Sequence, residues 1–280
     1  QGILDSKQQK VLTKKQSMSI RSSYSSTSND GPGWDLEVII GRNEESKLLT
    51  EVARNALQST IILHGAAGSG KSSLVHSQPW GNCIVATGKF EQHGGEPFSA
   101  WIEALNGLVD QWVALNSTAE VCRMEGLREL LEEDFEFMRN ILPKAYQAAT
   151  SGCSVWSTKF TVTPERKSLL KQDVSNCVNM SFTRILQYLS MSQPVILFLD
   201  DMQWADNASL DVLKFLASGA AGIKVDNLKL IVSYRDEKVA DDHPTIIALN
   251  TITTNVQSQK LEGVEIYDIH VKDLSLDSVN

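Results

Sequence analysis

The chain has little of what marks metal, redox or membrane proteins. Its four cysteines are far apart and form no C-x-x-C pair, so they indicate neither a zinc site nor a redox motif. They are Cys83, Cys122, Cys153 and Cys177. No window approaches 18 consecutive apolar residues, so the sequence predicts no transmembrane helix and no membrane partner. We interpret the thiols as reduced and expect a cytoplasmic location.

Clustered positive charge is also absent. The 280 residues include 26 Lys and Arg against 34 Asp and Glu, a formal net charge of −8. Binding to a nucleic-acid backbone requires clustered cations, so this composition argues against a nucleic-acid partner. His64, His76 and His93 are spaced too irregularly to indicate a metal centre, and we interpret them as packing or surface residues.

The amino-terminal region has neither an initial methionine nor the apolar segment of a signal peptide. Residues 1–33 are rich in serine and lysine. Such a segment buries too little apolar surface to offset the entropy lost on ordering. We therefore expect 1–33 to be a disordered linker in a chain cut from a longer protein, with serine phosphorylation as one means of regulation.

A glycine-rich segment between an apolar strand and a helix is the most informative feature. Residues 65–72 read GAAGSGKS and fit the phosphate-loop pattern G-x-x-x-x-G-K-[ST]. Backbone N–H groups of such a loop point at a polyphosphate, Lys71 reaches its β- and γ-phosphates, and the Ser72 hydroxyl binds Mg²⁺. An ordinary glycine-rich turn is the alternative. The predicted nucleotide contacts are Gly65, Ala66, Ala67, Gly68, Ser69, Gly70, Lys71, Ser72 and Ser73.

Strands and helices alternate along the rest of the chain. Apolar runs predict strands over 59–64, 82–87, 194–199, 228–233 and 264–270, the last with the alternation of an edge strand. Helices are predicted over 43–57, from Ser72, and over roughly 98–115, 120–149 and 165–190. Such alternation indicates a parallel sheet with right-handed crossovers, whose ligands bind at the carboxyl ends of the strands.

Two carboxylates, Asp200 and Asp201, directly follow the most apolar of these strands. One carboxylate at this position can hold Mg²⁺ through its water shell, and a second can polarise the water that attacks a γ-phosphate. Paired aspartates after a strand are also common turn formers. Beside an intact phosphate loop we favour a Walker-B interpretation, with Asp200 at the metal and Asp201 as the base.

Four more segments complete a family resemblance: Gly41–Glu45, Phe198–Asp206, Ser233–Arg235 and Val271–Leu276. With the phosphate loop they resemble the AAA-type, Orc1-like ATPase modules of the signal-transduction ATPases with numerous domains, over about residues 35–280. The resemblance implies an α/β P-loop fold with a parallel five-stranded sheet in the order 5-1-4-3-2, flanked by helices, with a large helical insertion between strands 2 and 3. It implies an ATPase domain over 34–272 and the start of a truncated helical lid at 273–280.

The same resemblance implies roles for two arginines. Arg42 would lie close to the base or ribose, although it could instead be a solvated charge at a helix start. Arg235 would read the γ-phosphate, although exposed arginines often end strands. Asp201 stands where many AAA enzymes carry glutamate, and its shorter side chain leaves fast turnover in doubt.

We therefore expect a regulatory switch that binds ATP or ADP with Mg²⁺ and hydrolyses ATP slowly, using Lys71, Asp201 and Arg235. Its partners would be the nucleotide and other domains of a larger signalling protein, or separate proteins. A nucleotide-binding scaffold that scarcely hydrolyses ATP is the alternative. A small-molecule kinase is a weaker one, because the helices over 98–190 show no arginine cluster for an acceptor lid.

Overall fold

Five apolar segments pair side by side as a parallel sheet in a computed structural model. The structure describes residues 41–93, 95–116, 139, 141–143, 171–219, 223–259 and 263–273. The strands are β1 Gln58–Gly65, β2 Ile84–Lys89, β3 Val195–Asp200, β4 Leu228–Arg235 and β5 Val264–His270. Their order across the sheet is β2-β3-β4-β1-β5, which is the expected order 5-1-4-3-2 read from the other edge. The predicted fold class is confirmed.

Six helices of the described residues flank this sheet. They are α1 Asn43–Arg54, α2 Lys71–His76, α3 Ser99–Asn116, α4 Lys171–Ser190, α5 Asn207–Ala217 and α6 Pro244–Gln259. Both α3 and α4 belong to the helical insertion between β2 and β3. The helix expected over 120–149 falls largely outside the described residues, as do the linker over 1–33 and residues 274–280.

Alternate residues of each strand face opposite sides of the sheet, so two apolar cores form. Ile61 and Leu63 of β1 belong to the core that contains buried residues of α1 and α2. Ile62 belongs to the larger core, which contains buried residues of α3, α4, α5 and α6. All six residues of β3 are buried, as a strand covered on both faces requires.

Strand register gathers polar residues at one end of the sheet. Lys89 of β2 pairs with Asp200 of β3, and Gly65 of β1 pairs with Arg235 of β4. Strand β2 both begins and ends two residues later than predicted, so Lys89 is its last residue.

Among the described helices, none has both the length and the apolar character that crossing a membrane requires.

Candidate functional site

The phosphate loop leaves β1 at Gly65 and enters α2 at Lys71. A Cβ at Gly65 would overlap the carbonyl oxygen of Val271, which follows β5, so only glycine allows this approach. Gly70 lies directly before α2 with φ 88°, the left-handed conformation that glycine adopts without strain. Glycine at these two positions therefore permits the backbone conformation of the loop, as the sequence pattern predicts.

Lys71 folds back over this loop and is only 7% exposed. Its Nζ donates to the carbonyl oxygens of Gly65 at 2.9 Å and Ala66 at 2.7 Å. Burial lowers the pKa of Lys71, and this effect exceeds the opposing influence of the Glu237 carboxylate. The ammonium group thus lies among main-chain oxygens on the inner side of the loop.

Arg42 connects the loop to the segment after β5. Its guanidinium donates to the carbonyl oxygen of Ser69 at 2.7 Å and to that of Lys272, and it pairs with Glu45 at 3.4 Å. The residue is 4% exposed, so it is not a solvated charge at a helix start. Contact with a base or ribose remains a prediction.

Asp200 ends β3 and joins the loop to β4. Its Oδ2 accepts a hydrogen bond from the Ser72 hydroxyl at 2.8 Å, and its Oδ1 accepts one from the Ser233 hydroxyl. The backbone N–H of Asp201 also donates to Oδ1, at 3.0 Å. Three elements thereby hold one carboxylate that is 8% exposed.

The pair formed by Ser72 and Asp200 fits a magnesium site. The Ser72 hydroxyl donates its proton to Asp200 Oδ2 at 2.8 Å, which leaves the hydroxyl lone pairs available to an ion. The carboxylate beside it can then hold the water shell of the same ion. Hydroxyl and carboxylate oxygens are also the hard ligands that Mg²⁺ takes in proteins.

Asp201 is the next residue, and cationic and amide donors surround its carboxylate. Oδ1 accepts from Arg235 Nε at 3.0 Å and from Gln203 Nε2 at 2.8 Å. Oδ2 accepts from Arg235 Nη2 at 3.2 Å and lies 3.3 Å from Lys89 Nζ. The Arg235 pair is bidentate, the geometry that binds a carboxylate most strongly.

These donors decide the ionisation of Asp201. Burial alone would raise the pKa of Asp201, but hydrogen bonds from Gln203, Arg235 and Lys89 outweigh it and hold the pKa below its usual value. Its backbone is left-handed, at φ 58° and ψ 43°. This conformation costs a non-glycine residue about 1–2 kcal/mol. The carboxylate is therefore a fixed anion on a strained turn.

Two contributors are missing from the sequence predictions. Lys89 lies one strand away from Asp200, at the end of β2. Gln203 donates to Asp201 and accepts from the backbone N–H of Arg235 at 3.1 Å, so it bridges the pair. The predicted strand ended at residue 87, two residues before Lys89, so the sequence did not place this cation beside Asp200.

The last residue of the segment Phe198–Asp206 has a structural role. Asp206 caps α5, since its carboxylate accepts from the N–H of Ser209 at 2.9 Å and from the Ser209 hydroxyl at 2.6 Å. It also accepts from the N–H of Phe98 at 3.4 Å. An N-cap of this kind satisfies backbone donors that the first turn leaves unpaired.

Eight of the predicted site residues meet around one cavity at the carboxyl ends of the strands. Lysine and arginine side chains face two aspartates there, so the lining suits an anion accompanied by a divalent cation. The lining residues are Gly68, Gly70, Lys71, Ser72, Ser73, Lys89, Asp200, Asp201 and Arg235. The predicted contacts outside this lining are Arg42, Gly65, Ala66, Ala67 and Ser69.

Two comparisons relate the chain to known proteins. The family described as an AAA ATPase domain matches residues 38–231. Hybrid signal transduction histidine kinase G of Dictyostelium discoideum is 28% identical over 186 residues, which is 64% of this chain. The chain spans only about 5% of the length of that kinase. The family match includes the phosphate loop and both aspartates but ends before Arg235.

Proposed function

The chain belongs to the AAA ATPase domain family, and we propose that it is an ATP-binding, slowly hydrolysing regulatory switch within a larger signalling protein. The proposal rests on one observation: Ser72, Asp200, Asp201 and Arg235 form a continuous set of hydrogen bonds at the strand ends. Within the family we assign it to the Orc1-like modules of the signal-transduction ATPases with numerous domains. This finer assignment rests on the sequence resemblance.

In the proposed complex, the phosphate loop from Gly65 to Ser73 cradles the triphosphate. The Lys71 ammonium exchanges its contacts with the Gly65 and Ala66 carbonyl oxygens for contacts with the β- and γ-phosphates. Ser72 binds Mg²⁺ and keeps its hydrogen bond to Asp200. Bound Mg²⁺ would neutralise phosphate charge and fix the phosphate orientation.

The proposed switch is the ion pair between Asp201 and Arg235. A γ-phosphate attracts the Arg235 guanidinium away from the carboxylate, because both are anions within reach of one cation. Asp201 then has an oxygen available to accept a proton from the attacking water. Binding of the γ-phosphate and release of the base are thus coupled, while ADP leaves the pair closed.

The same contacts explain why hydrolysis should be slow. Arg235, Gln203 and Lys89 stabilise the charged form of Asp201, and a base with a lowered pKa accepts a proton less readily. If the carboxylate stays fully held in the ATP complex, the domain is a nucleotide-binding scaffold for protein partners. This is the second candidate function, and the tight hold on Asp201 favours it.

The domain boundaries and the place of this domain in a larger protein are also part of the proposal. We propose a domain over 34–272, a linker over 1–33 and the start of a helical lid at 273–280. The similarity to a short stretch of a much longer histidine kinase supports a place among other signalling domains. The cytoplasmic location remains a prediction.

Nucleotide binding is tested by thermal unfolding of the 280-residue chain with Mg·ATP and Mg·ADP. A ligand at 100 times its dissociation constant stabilises the fold by about 2.7 kcal/mol, roughly 5–10 °C in melting temperature at this size. Lys71→Ala should abolish most of this shift, whereas Lys47→Ala, on the exposed surface of α1, should keep it. A wild-type melting temperature unchanged by ATP, ADP and GTP would refute nucleotide binding.

A further inference from the structure

A second group of polar side chains lies at the ends of β1, β4 and β5, outside the lining of the cavity. His64 of β1 pairs in register with His270 of β5, and their rings stack at 4.7 Å with 6° between planes. Asp236 follows β4 and turns toward both histidines. We propose that His64, Asp236 and His270 bind a divalent transition-metal ion of the zinc type.

The distances suit three ligands of one ion. Asp236 Oδ1 lies 3.0 Å from His64 Nδ1, and Asp236 Oδ2 lies 3.5 Å from His270 Nε2. One ligand atom from each residue lies within 4.8 Å of the other two. Ligands of tetrahedral zinc lie about 3.3 Å apart, since Zn–N and Zn–O bonds are about 2.0–2.1 Å. Side-chain rotations that tilt the two stacked rings out of parallel would direct both nitrogen lone pairs at one ion and bring the ligand atoms to this spacing.

A second carboxylate orients His64. The Nε2 atom of His64 lies 3.3 Å from Asp268 Oδ1, on the side of the ring away from Asp236. Metal-binding histidines usually donate the other ring N–H to such a carboxylate, which directs the free lone pair at the ion. With Nε2–H on Asp268, the lone pair of His64 Nδ1 points to the side of Asp236. An ion there would lie between this lone pair and the Asp236 carboxylate.

Charge and access also favour an ion. Two neutral imidazoles with Asp236 and Asp268 carry a charge of −2, which a divalent cation balances. His64 is 22% exposed, Asp236 40% and His270 49%, so an ion can enter from solvent and keep a water as its fourth ligand. Imidazole ligands select zinc-like ions over Mg²⁺.

The position of this site connects it to the nucleotide loop. His64 directly precedes Gly65, Asp236 directly follows Arg235, and Glu237 accepts a hydrogen bond from the loop N–H of Ala67 at 3.1 Å. A bound ion would hold together His64, the residue before the phosphate loop, and Asp236, the residue after Arg235. Metal binding itself does not depend on the proposed ATPase function.

The test is titration calorimetry of zinc into the tag-free 280-residue chain without nucleotide. Wild type should bind zinc at this site with micromolar or tighter affinity. His270→Asn and Asp236→Asn should each weaken it by about 30-fold or more, and Asp268→Asn by about 10-fold. Matched substitutions on exposed loops, His93→Asn and Asp241→Asn, should change nothing.

Three results would overturn the site. They are no saturable zinc binding by wild type, unchanged affinity in both ligand variants, or loss of binding in Asp200→Ala, which would place the ion at the phosphate loop. Circular dichroism checks that each variant folds. If both ligand variants unfold, the Co²⁺ absorption spectrum of wild type decides: intense bands of a four-coordinate ion support the site, and the spectrum of hydrated Co²⁺ refutes it.

Discussion

Two buried lysines lie at opposite ends of the same sheet. Lys71 is 7% exposed at the carboxyl end, and Lys229 is fully buried near the start of β4, at the amino end. Lys229 Nζ donates to Asn55 Oδ1 at 2.7 Å and to the carbonyl oxygen of Leu57. Burial lowers the pKa of both, that of Lys229 to about 8.

The two lysines differ in whether a ligand can reach them. Lys71 faces a cavity that also holds Asp200 and Arg235, so phosphate oxygens can replace its main-chain acceptors. Lys229 is enclosed by protein, and its partner Asn55 donates in turn to Glu265 at 3.0 Å. A buried cation with a lowered pKa therefore marks a ligand site only where a ligand can reach it. The predictions below test this contrast between the two ends of the sheet.

The largest effect is expected for Asp201→Asn at the carboxyl end. Loss of the base should lower single-turnover ATP hydrolysis by about 10²- to 10⁴-fold, while nucleotide affinity stays within about threefold. Asp226→Asn, on the turn before β4, is the matched control and should hydrolyse ATP at the wild-type rate. Equally slow hydrolysis by wild type and Asp201→Asn would favour the scaffold.

Arg235→Ala should discriminate between nucleotides, because ADP lacks the γ-phosphate that Arg235 contacts. Binding of a non-hydrolysable ATP analogue should weaken by about 1.5–3 kcal/mol, and toward the lower value because wild type must break the Asp201 pair. Calorimetry with both nucleotides measures this. Arg54→Ala, exposed on α1, is the control. Equal losses for ADP and the analogue would remove the sensor from the mechanism.

At the amino end, pH should change stability through Lys229. Its pKa falls from 10.5 to about 8 on folding, so between these values the unfolded chain binds more protons and stability rises with pH. Relative to Lys229→Met, wild type should gain about 2 kcal/mol between about pH 7.5 and 9.5 in urea unfolding. A constant difference across this interval would show that Lys229 titrates normally.

The smallest effect is expected for Asp206→Ala, at the end of the segment Phe198–Asp206. Loss of the α5 cap should cost about 1 kcal/mol of unfolding free energy. Single-turnover hydrolysis should stay at the wild-type rate, because Asp206 bonds Ser209 and Phe98 and is absent from the cavity lining. Asp211→Ala, exposed on α5, should change neither quantity measurably. A large loss of turnover in Asp206→Ala would place this residue in the site after all.

Sequence patterns predicted the strands well because each depends on local apolar runs. Every residue of β3 is buried, and the last strand lies at a sheet edge, both as expected. Helices α5 and α6 have no counterpart among the predicted elements. Their signals were present, since Asp206 caps one and Pro244 begins the other.

What the sequence determined by itself is the phosphate loop, because its glycines, Lys71 and Ser72 are adjacent in the chain and form the site through local backbone geometry. The strand order came from the family resemblance, and the structure agrees with it. The tertiary structure alone decided the surroundings of Asp201, the enclosure of Lys229 and the meeting of His64 with His270. These residues come from separate strands and turns, and only strand register brings them into contact.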